Sequence, residues 1–367
     1  MTTIINGSSP SITFSDGSAQ TSATQPFQNR IINGAMVIDQ RNAGASVTAT
    51  DNGYTLDRFQ TQSNQASKFT VAQSSTAPTG FVNSLLATSS SAYSVGSGDY
   101  FTVRQHIEGY NAADLGWGTA NAKTVTLSFW VRSSLTGTFG GSFMNASANR
   151  SYPFTYTISA ANTWEQKTVT VAGDTSGTWG TTNGTAISIM FGLGVGSTYS
   201  GTAGSWAGSL YLSATGATSV VGTNGATFYI TGVQLEVGST ATSFDYRPYG
   251  TELQLCQRYY FKQQATGGDA YFGSGFNTTT TRGEFLTSFP VFMRTAPTAL
   301  EQSGTAGNYR VTIADTNVTC SAVPTFIGAE LFSARTRFEV SSGLTAGQGS
   351  FGRSVNSSAY LAWSAEL

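Results

Sequence analysis

One histidine, His106, stands alone in the 367 residues, so any Ser-His-Asp triad would have to use it. It lies in Phe101-Thr102-Val103-Arg104-Gln105-His106-Ile107, opposite the apolar Phe101, Val103 and Ile107 and beside Arg104. That position predicts a surface or cross-strand polar residue rather than a general base. No Gly-x-Ser-x-Gly elbow precedes a helix, and glycine pairs such as Gly194-Val195-Gly196 sit among strand patterns, not phosphate loops. Glycoside hydrolysis needs two carboxylates about 5–10 Å apart. Asp99, Glu108, Asp114, Glu165 and Asp174 are the candidates, and each reads as a turn or solvated strand position. The chain is therefore expected not to be an enzyme. One histidine and two cysteines also exclude a histidine–cysteine metal site.

Binding chemistry is better represented. Sugar rings present flat C–H faces and hydroxyl rims, which suit an aromatic platform edged by amide, carboxylate and guanidinium groups. Aromatics in Gly/Ser/Asn-rich stretches, which no core pattern claims, are the informative ones. Trp117 in Leu115-Gly116-Trp117-Gly118, Trp179 in Gly177-Thr178-Trp179-Gly180, Tyr199 and Trp206 meet that description and are the expected ligand contacts. Removing Trp117 or Trp179 is then expected to weaken binding and leave the melting temperature unchanged. Trp130 and Trp164 sit on strand patterns, where packing or subunit contact is expected.

The elements that must position these residues are strands. Gly contributes 42 residues, and only 10% are charged, against roughly 25% in an average protein. Short runs of Thr, Val, Phe and Tyr broken by Gly, Ser and Asn predict an all-β chain. Faces at period two are carried by Val125, Leu127, Phe129 and Val131; by Tyr152, Phe154, Tyr156 and Ile158; by Val169 and Val171; by Ile187, Ile189, Phe191, Leu193 and Val195; and by Leu210 and Leu212. Thr227 to Val237 changes phase at Gly232, as a bulge would require. Three parts result: a short N-terminal segment, 1–26, whose one visible strand starts at Ser11; a jelly-roll β-sandwich, 27–250; and a smaller C-terminal β domain, 251–367. Leu253, Cys256 and Tyr260 suit either a helix or a strand. Cys256 and Cys320 are expected to be free thiols that fill a C-terminal core.

Net charge is −1 with no basic stripe, so nucleic acid is not an expected partner. No apolar run is long enough for a membrane span, and the N-terminus lacks a basic start and apolar core, so no secretory signal is expected and folding in a cytosol is.

Three stretches together resemble virion proteins of tailed bacteriophages. Ser11-Ile12-Thr13-Phe14-Ser15-Asp16-Gly17 is similar to N-terminal segments of tail-fibre proteins. Asn29-Arg30-Ile31-Ile32-Asn33-Gly34-Ala35-Met36, with Tyr54 to Phe59, resembles the start of a jelly roll in phage structural proteins. Gly232 to Gly238, Phe244 to Pro248 and Leu255-Cys256-Gln257-Arg258-Tyr259-Tyr260 resemble its end and its joint to a C-terminal β domain. The resemblance implies a jelly roll like a carbohydrate-binding module, a homotrimer, attachment to other virion proteins through residues 1–26, location in the virion, and a host cell-surface polysaccharide as ligand. It also implies one structural calcium ion between the first and last strands, for which Asn33, Asp39, Glu236 and Asp245 are the nearest ligands; no other cofactor is implied. The expected function is a fibre or tip subunit that binds host glycan for adsorption. The alternatives are a ligand-free decoration or head-fibre protein, and a glycan depolymerase.

Overall fold

The computed structural model describes residues 27–314 and 316–367; of the first 26 it describes only the backbone of three short strands. Those strands, Ile4–Asn6, Ser11–Thr13 and Ala19–Gln20, pair antiparallel, with Ile12 opposite Ile5 and Gln20. The strand starting at Ser11 is thus not alone: it finds two partners inside its own segment. Strands of two or three residues are too short to show alternation, which is why these partners were not visible. The expected turn at Asp16-Gly17 lies outside the described residues.

Residues 47–237 form a jelly-roll sandwich of two six-stranded antiparallel sheets. One, the groove sheet, orders Ser151–Ile158, Gly137–Asn145, Thr185–Val195, Tyr100–Glu108, Phe59–Ser63 and Tyr54–Leu56. The back sheet orders Glu165–Val171, Val125–Ser133, Thr227–Val237, Ser84–Ser89, Phe69–Ser74 and Val47–Thr48. Side chains at period two fill the space between them: Phe101 and Val103 face Leu127, Phe129, Val131, Phe228 and Ile230 in one buried cluster.

Two glycine-linked irregularities set the register. Gly232 has φ +59°, and Gln234 pairs with Ser128 while Thr231 pairs with Trp130, so Phe129 faces a bulge. A β-carbon on Gly232 would lie 2.6 Å from the Phe81 ring, so a side chain is excluded there. A second register shift falls between Gly192 and Gly194. It turns Val195 away from the face of Ile187, Ile189, Phe191 and Leu193 and into a cluster on the outside of the sheet. Leu210 and Leu212 are likewise not on a strand of the sandwich; they belong to the loop that covers that outside cluster.

The joint between the β domains is dense. The α-helix Tyr249–Gln257 ends before the strand Tyr260–Gln264, so the ambiguous stretch is helix and then strand. Cys256 packs there with Ile32, Ile38 and Tyr259, not in the C-terminal core as expected; Cys320 is in that core. Burial pushes both thiols up, Cys320 to about 12. Arg258 clamps Glu108 at 2.6 and 3.0 Å, the Tyr259 hydroxyl donates to the same carboxylate at 2.5 Å, and buried Arg58 pairs with Glu366.

The C-terminal unit packs the three strands Tyr260–Gln264, Tyr360–Ser364 and Glu301–Gln302 on a seven-stranded antiparallel sheet. Phe272, Phe285, Tyr309, Phe338 and Trp363 fill the space between. The sheet's other face is exposed and carries Tyr271, Phe276, Leu286 and Phe351.

Candidate functional site

Alternation that buries Phe101, Val103 and Ile107 turns Tyr100, Thr102, Arg104 and His106 to the outer face of the groove sheet. Neighbouring strands place Gln60 opposite Arg104 and Ser188 opposite His106, both on that face. The covering loop, residues 196–217, lies on the other half of the sheet. It approaches so closely that a β-carbon on Gly140 would meet the Ser213 hydroxyl at 2.4 Å, which is why this strand carries glycine there. Under the loop, Met144, Met190 and Leu212 form a small apolar cluster, with Tyr100, Tyr199 and Leu210 at its margin.

Loop and bare sheet together bound an open groove of about 380 Å³, within the size range of small-ligand sites. Tyr100 and Tyr199, edge to face with centroids 5.4 Å apart, make its aromatic wall. Leu210, Leu212 and Met144 supply apolar surface, and Asn52, Gln62, Arg104, His106 and Ser188 supply the polar edge. That edge is held by a network. Arg104 Nε donates to Gln60 Oε1 at 2.5 Å and its Nη2 to Asn52 Oδ1 at 2.7 Å. His106 Nδ1 lies 2.7 Å from Ser188 Oγ and its Nε2 3.2 Å from Gln60 Oε1. Thr102 donates to Gln62 at 3.2 Å.

Burial first, then the Arg104 and Arg58 charges, push the His106 pKa well below the usual imidazole range, so the ring is neutral at physiological pH. Burial also lowers Arg104 to about 10 and raises Tyr100. Among the described residues no carboxylate lines the groove. The arrangement offers stacking surface and neutral or cationic donors, which suits binding a hydroxylated ligand. A second hollow of about 420 Å³ lies between the two β domains, but its charged groups are committed. Arg294 donates to three backbone carbonyls, Glu366 pairs with Arg58 and Arg41, and Glu301 accepts from Tyr260.

Of the ligand contacts expected from sequence, Tyr199 alone lines the groove. Trp117 and Trp179 are corrected: both are buried in the main core cluster, at 7% and 8% exposure. With half-buried Trp206 they form a triad of edge-to-face rings, centroids 4.7, 5.3 and 5.4 Å apart. Each indole N–H donates to a backbone carbonyl, of Lys123, Ser176 and Ala172 respectively. The three loops fold inward because together the rings plug a gap that none could close alone. Trp164 packs on Tyr229, as a packing role requires.

The calcium ligands are not gathered either. Asn33 spans a turn, bonding Ile38 N and O and Asp57 O. Asp39 accepts from Asn42 N and Gly44 N, Glu236 from Thr242 and Gln234, and Asp245 from Asn29 N. Among the described residues no three His, Cys, Asp or Glu side chains come together as a group. The five carboxylates considered for hydrolysis are each spent on protein donors: Asp99 on Gly96 N and Tyr93, Glu108 on Arg258, Asp114 on Arg30, Glu165 on Ser159 N and Lys167, Asp174 on Arg150. His106 is cross-strand, as expected, but buried rather than on the surface. Sequence reasoning missed Tyr100, Arg104, Asn52 and Gln62. The polar row Tyr100-Thr102-Arg104-His106 was the available signal, since a strand with four such residues on one face must present that face to something polar.

No protein-family model and no curated protein sequence matches the chain. Among solved structures it is similar to the enzymatically active domain of bacteriophage CBA120 tailspike protein 4, at 13% identity and TM-score 0.31 over 59% of this chain; it spans 22% of that chain. It is also similar to a family 11 carbohydrate-binding module from Clostridium thermocellum in complex with a β-1,3-1,4-mixed-linked tetrasaccharide, at 10% identity and TM-score 0.28 over 55% of this chain and 100% of the module. A family 29 carbohydrate-binding module complexed with mannohexaose matches at 11% identity and TM-score 0.26, over 53% and 92%.

Proposed function

We propose that the chain is a non-enzymatic virion protein of a tailed bacteriophage, a fibre or tip subunit that holds a host-surface glycan in the groove beside Tyr100 and Tyr199. The observation that carries this reading is the groove's composition: two tyrosine rings face a row of amide, guanidinium, imidazole and hydroxyl groups, with no lining carboxylate among the described residues. Rings cover the C–H face of a sugar and the polar row satisfies its hydroxyls. The polar row is already held by hydrogen bonds between side chains, so little ordering opposes binding.

The test is titration of purified host-envelope polysaccharide into wild-type protein and Tyr199→Ala. A roughly tenfold loss of affinity on removing the ring, with the melting temperature held, is expected from the worth of an aromatic contact. Absence of binding by wild type to any host polysaccharide favours a ligand-free decoration role, and appearance of reducing ends favours a depolymerase. A homotrimer belongs to the same proposal, formed through the exposed face that carries Tyr271, Phe276, Leu286 and Phe351 among the charged Glu284, Arg335, Arg337 and Arg353. A monomeric mass by light scattering at micromolar concentration contradicts it. Residues 1–26 are proposed as the virion attachment; deleting them is expected to leave a folded protein that no longer joins particles.

A further inference from the structure

Most arginines of the described residues face a carboxylate. Arg30, Arg41, Arg58, Arg150, Arg247, Arg258, Arg282, Arg310, Arg335, Arg337 and Arg353 each have one within 4 Å. Arg104, Arg132 and Arg294 do not; Arg132 and Arg294 donate to backbone carbonyls instead, whereas Arg104 is only 8% exposed and reaches neither a carboxylate nor a carbonyl of the main chain. A buried cation without a counter-charge is costly, and desolvation lowering its pKa to about 10 expresses that cost. Its Nε and Nη2 are tied to the neutral amide oxygens of Gln60 and Asn52. Its Nη1 has no acceptor among the described residues, and the residue lines the groove. Asp51 acts on it only through space; that side chain is exposed and bonds Ser63 N and Asn52 Nδ2. The network therefore orients the guanidinium and leaves its charge unanswered. Among the described residues no lysine or second arginine lines the groove, so one negative charge is matched there and two are not.

We propose that the groove selects an acidic saccharide, and that Arg104 reads its charge by seating one singly ionised group of the sugar, a uronate carboxylate or a phosphodiester. This deepens the glycan-binding reading and rests on it. Tyr100 and Tyr199 hold the ring beside that group, and Asn52 and Gln60 keep the guanidinium edge turned outward. Arginine suits the task because its planar donors match an anionic oxygen pair, and because it stays charged where burial would neutralise a lysine.

The test uses full-length protein on an array of bacterial surface polysaccharides: uronate-containing chains, the same chains after carboxyl reduction, phosphodiester-linked chains and neutral chains. Wild type is expected to retain an acidic set, and carboxyl reduction to weaken binding about ten- to hundred-fold if a uronate is the ligand. Retention on the phosphodiester set alone identifies that source instead and equally supports the charge reading. Arg104→Gln is expected to lower affinity for the acidic set by the same factor and flatten its salt dependence. The carboxyl-reduction comparison needs no variant, so a misfolded Arg104→Gln does not blunt the test. Equal binding of neutral and acidic chains by wild type overturns the charge proposal and leaves the glycan reading standing. No binding to any set overturns both.

Discussion

Replacing Trp117 by alanine separates a buried plug from a sugar platform. Trp117 is 7% exposed, meets Trp179 at 4.7 Å and Trp206 at 5.3 Å, and donates its indole N–H to Lys123 O at 2.8 Å. Truncating a buried tryptophan costs about 3–5 kcal/mol, the loss of transfer free energy plus the cavity left behind. The partners here are rings from two other loops, which cannot collapse inward without breaking their own carbonyl bonds, so the middle of that range, about 4 kcal/mol, applies. For a unit of roughly 200 residues each kcal/mol moves the melting temperature by about 2–4 °C, so a fall of about 8–16 °C is expected. Trp206→Ala, half-buried at the edge of the triad, is expected to cost less. Calorimetry or urea unfolding followed by fluorescence reads both, alongside binding at the groove, which is expected to persist in molecules that remain folded. A Trp117→Ala protein that melts within about 2 °C of wild type but no longer binds glycan would refute the burial reasoning and return the ring to the ligand.

Three further outcomes are expected. Burial raises Asp57 from 3.8 to about 6 despite bonds from Gln40, so the folded state holds its proton more tightly than the unfolded chain does. Its contribution is then full below pH 4 and lost as pH rises through 6, on the order of 3 kcal/mol; unfolding curves of Asp57→Asn should lack that loss, and parallel pH profiles would contradict it. Gly232→Ala forces a side chain to φ +59° and into the Phe81 ring, so a loss of roughly 2 kcal/mol or more is expected by urea midpoint, and an unchanged midpoint counts against the bulge. Cys256 and Cys320 are buried free thiols with raised pKa, so a thiol reagent at pH 8 should label neither in the native protein and both after unfolding; fast native labelling of Cys256 would show a loose joint, and of Cys320 a loose C-terminal core.

Strands were legible where burial on one face imposed period two, as at Val125 to Val131 and Ile187 to Leu193, and the phase change at Gly232 gave away its bulge. Legibility failed where contacts were long-range. Nothing near Trp117 in sequence announces Trp179 and Trp206, so three loop rings looked free when each was the others' partner. Val195, which is on its strand, looked like more of the core face, and Leu210 and Leu212 looked like more strand, because apolar spacing does not say which side of a sheet is covered; a bulge and a folded-over loop decide that here. Asp39, Glu236 and Asp245 have the oxygens a cation wants, but nearby donors such as Asn42 N, Thr242 N and Asn29 N take them first. The groove was half visible. His106 and Arg104 were recognisably on the polar side of their strand, while Asn52, Gln62 and Tyr199 reach them only through tertiary structure.

Hydrogen–deuterium exchange with and without the polysaccharide that binds locates the site most directly. Slowed exchange is expected in residues 50–53 and 196–213, which rim the groove, with no change at residues 174–180 beside the buried tryptophans or in strands Tyr271–Thr279 and Arg282–Ser288. Protection confined to the tryptophan end or to the C-terminal sheet would contradict the account.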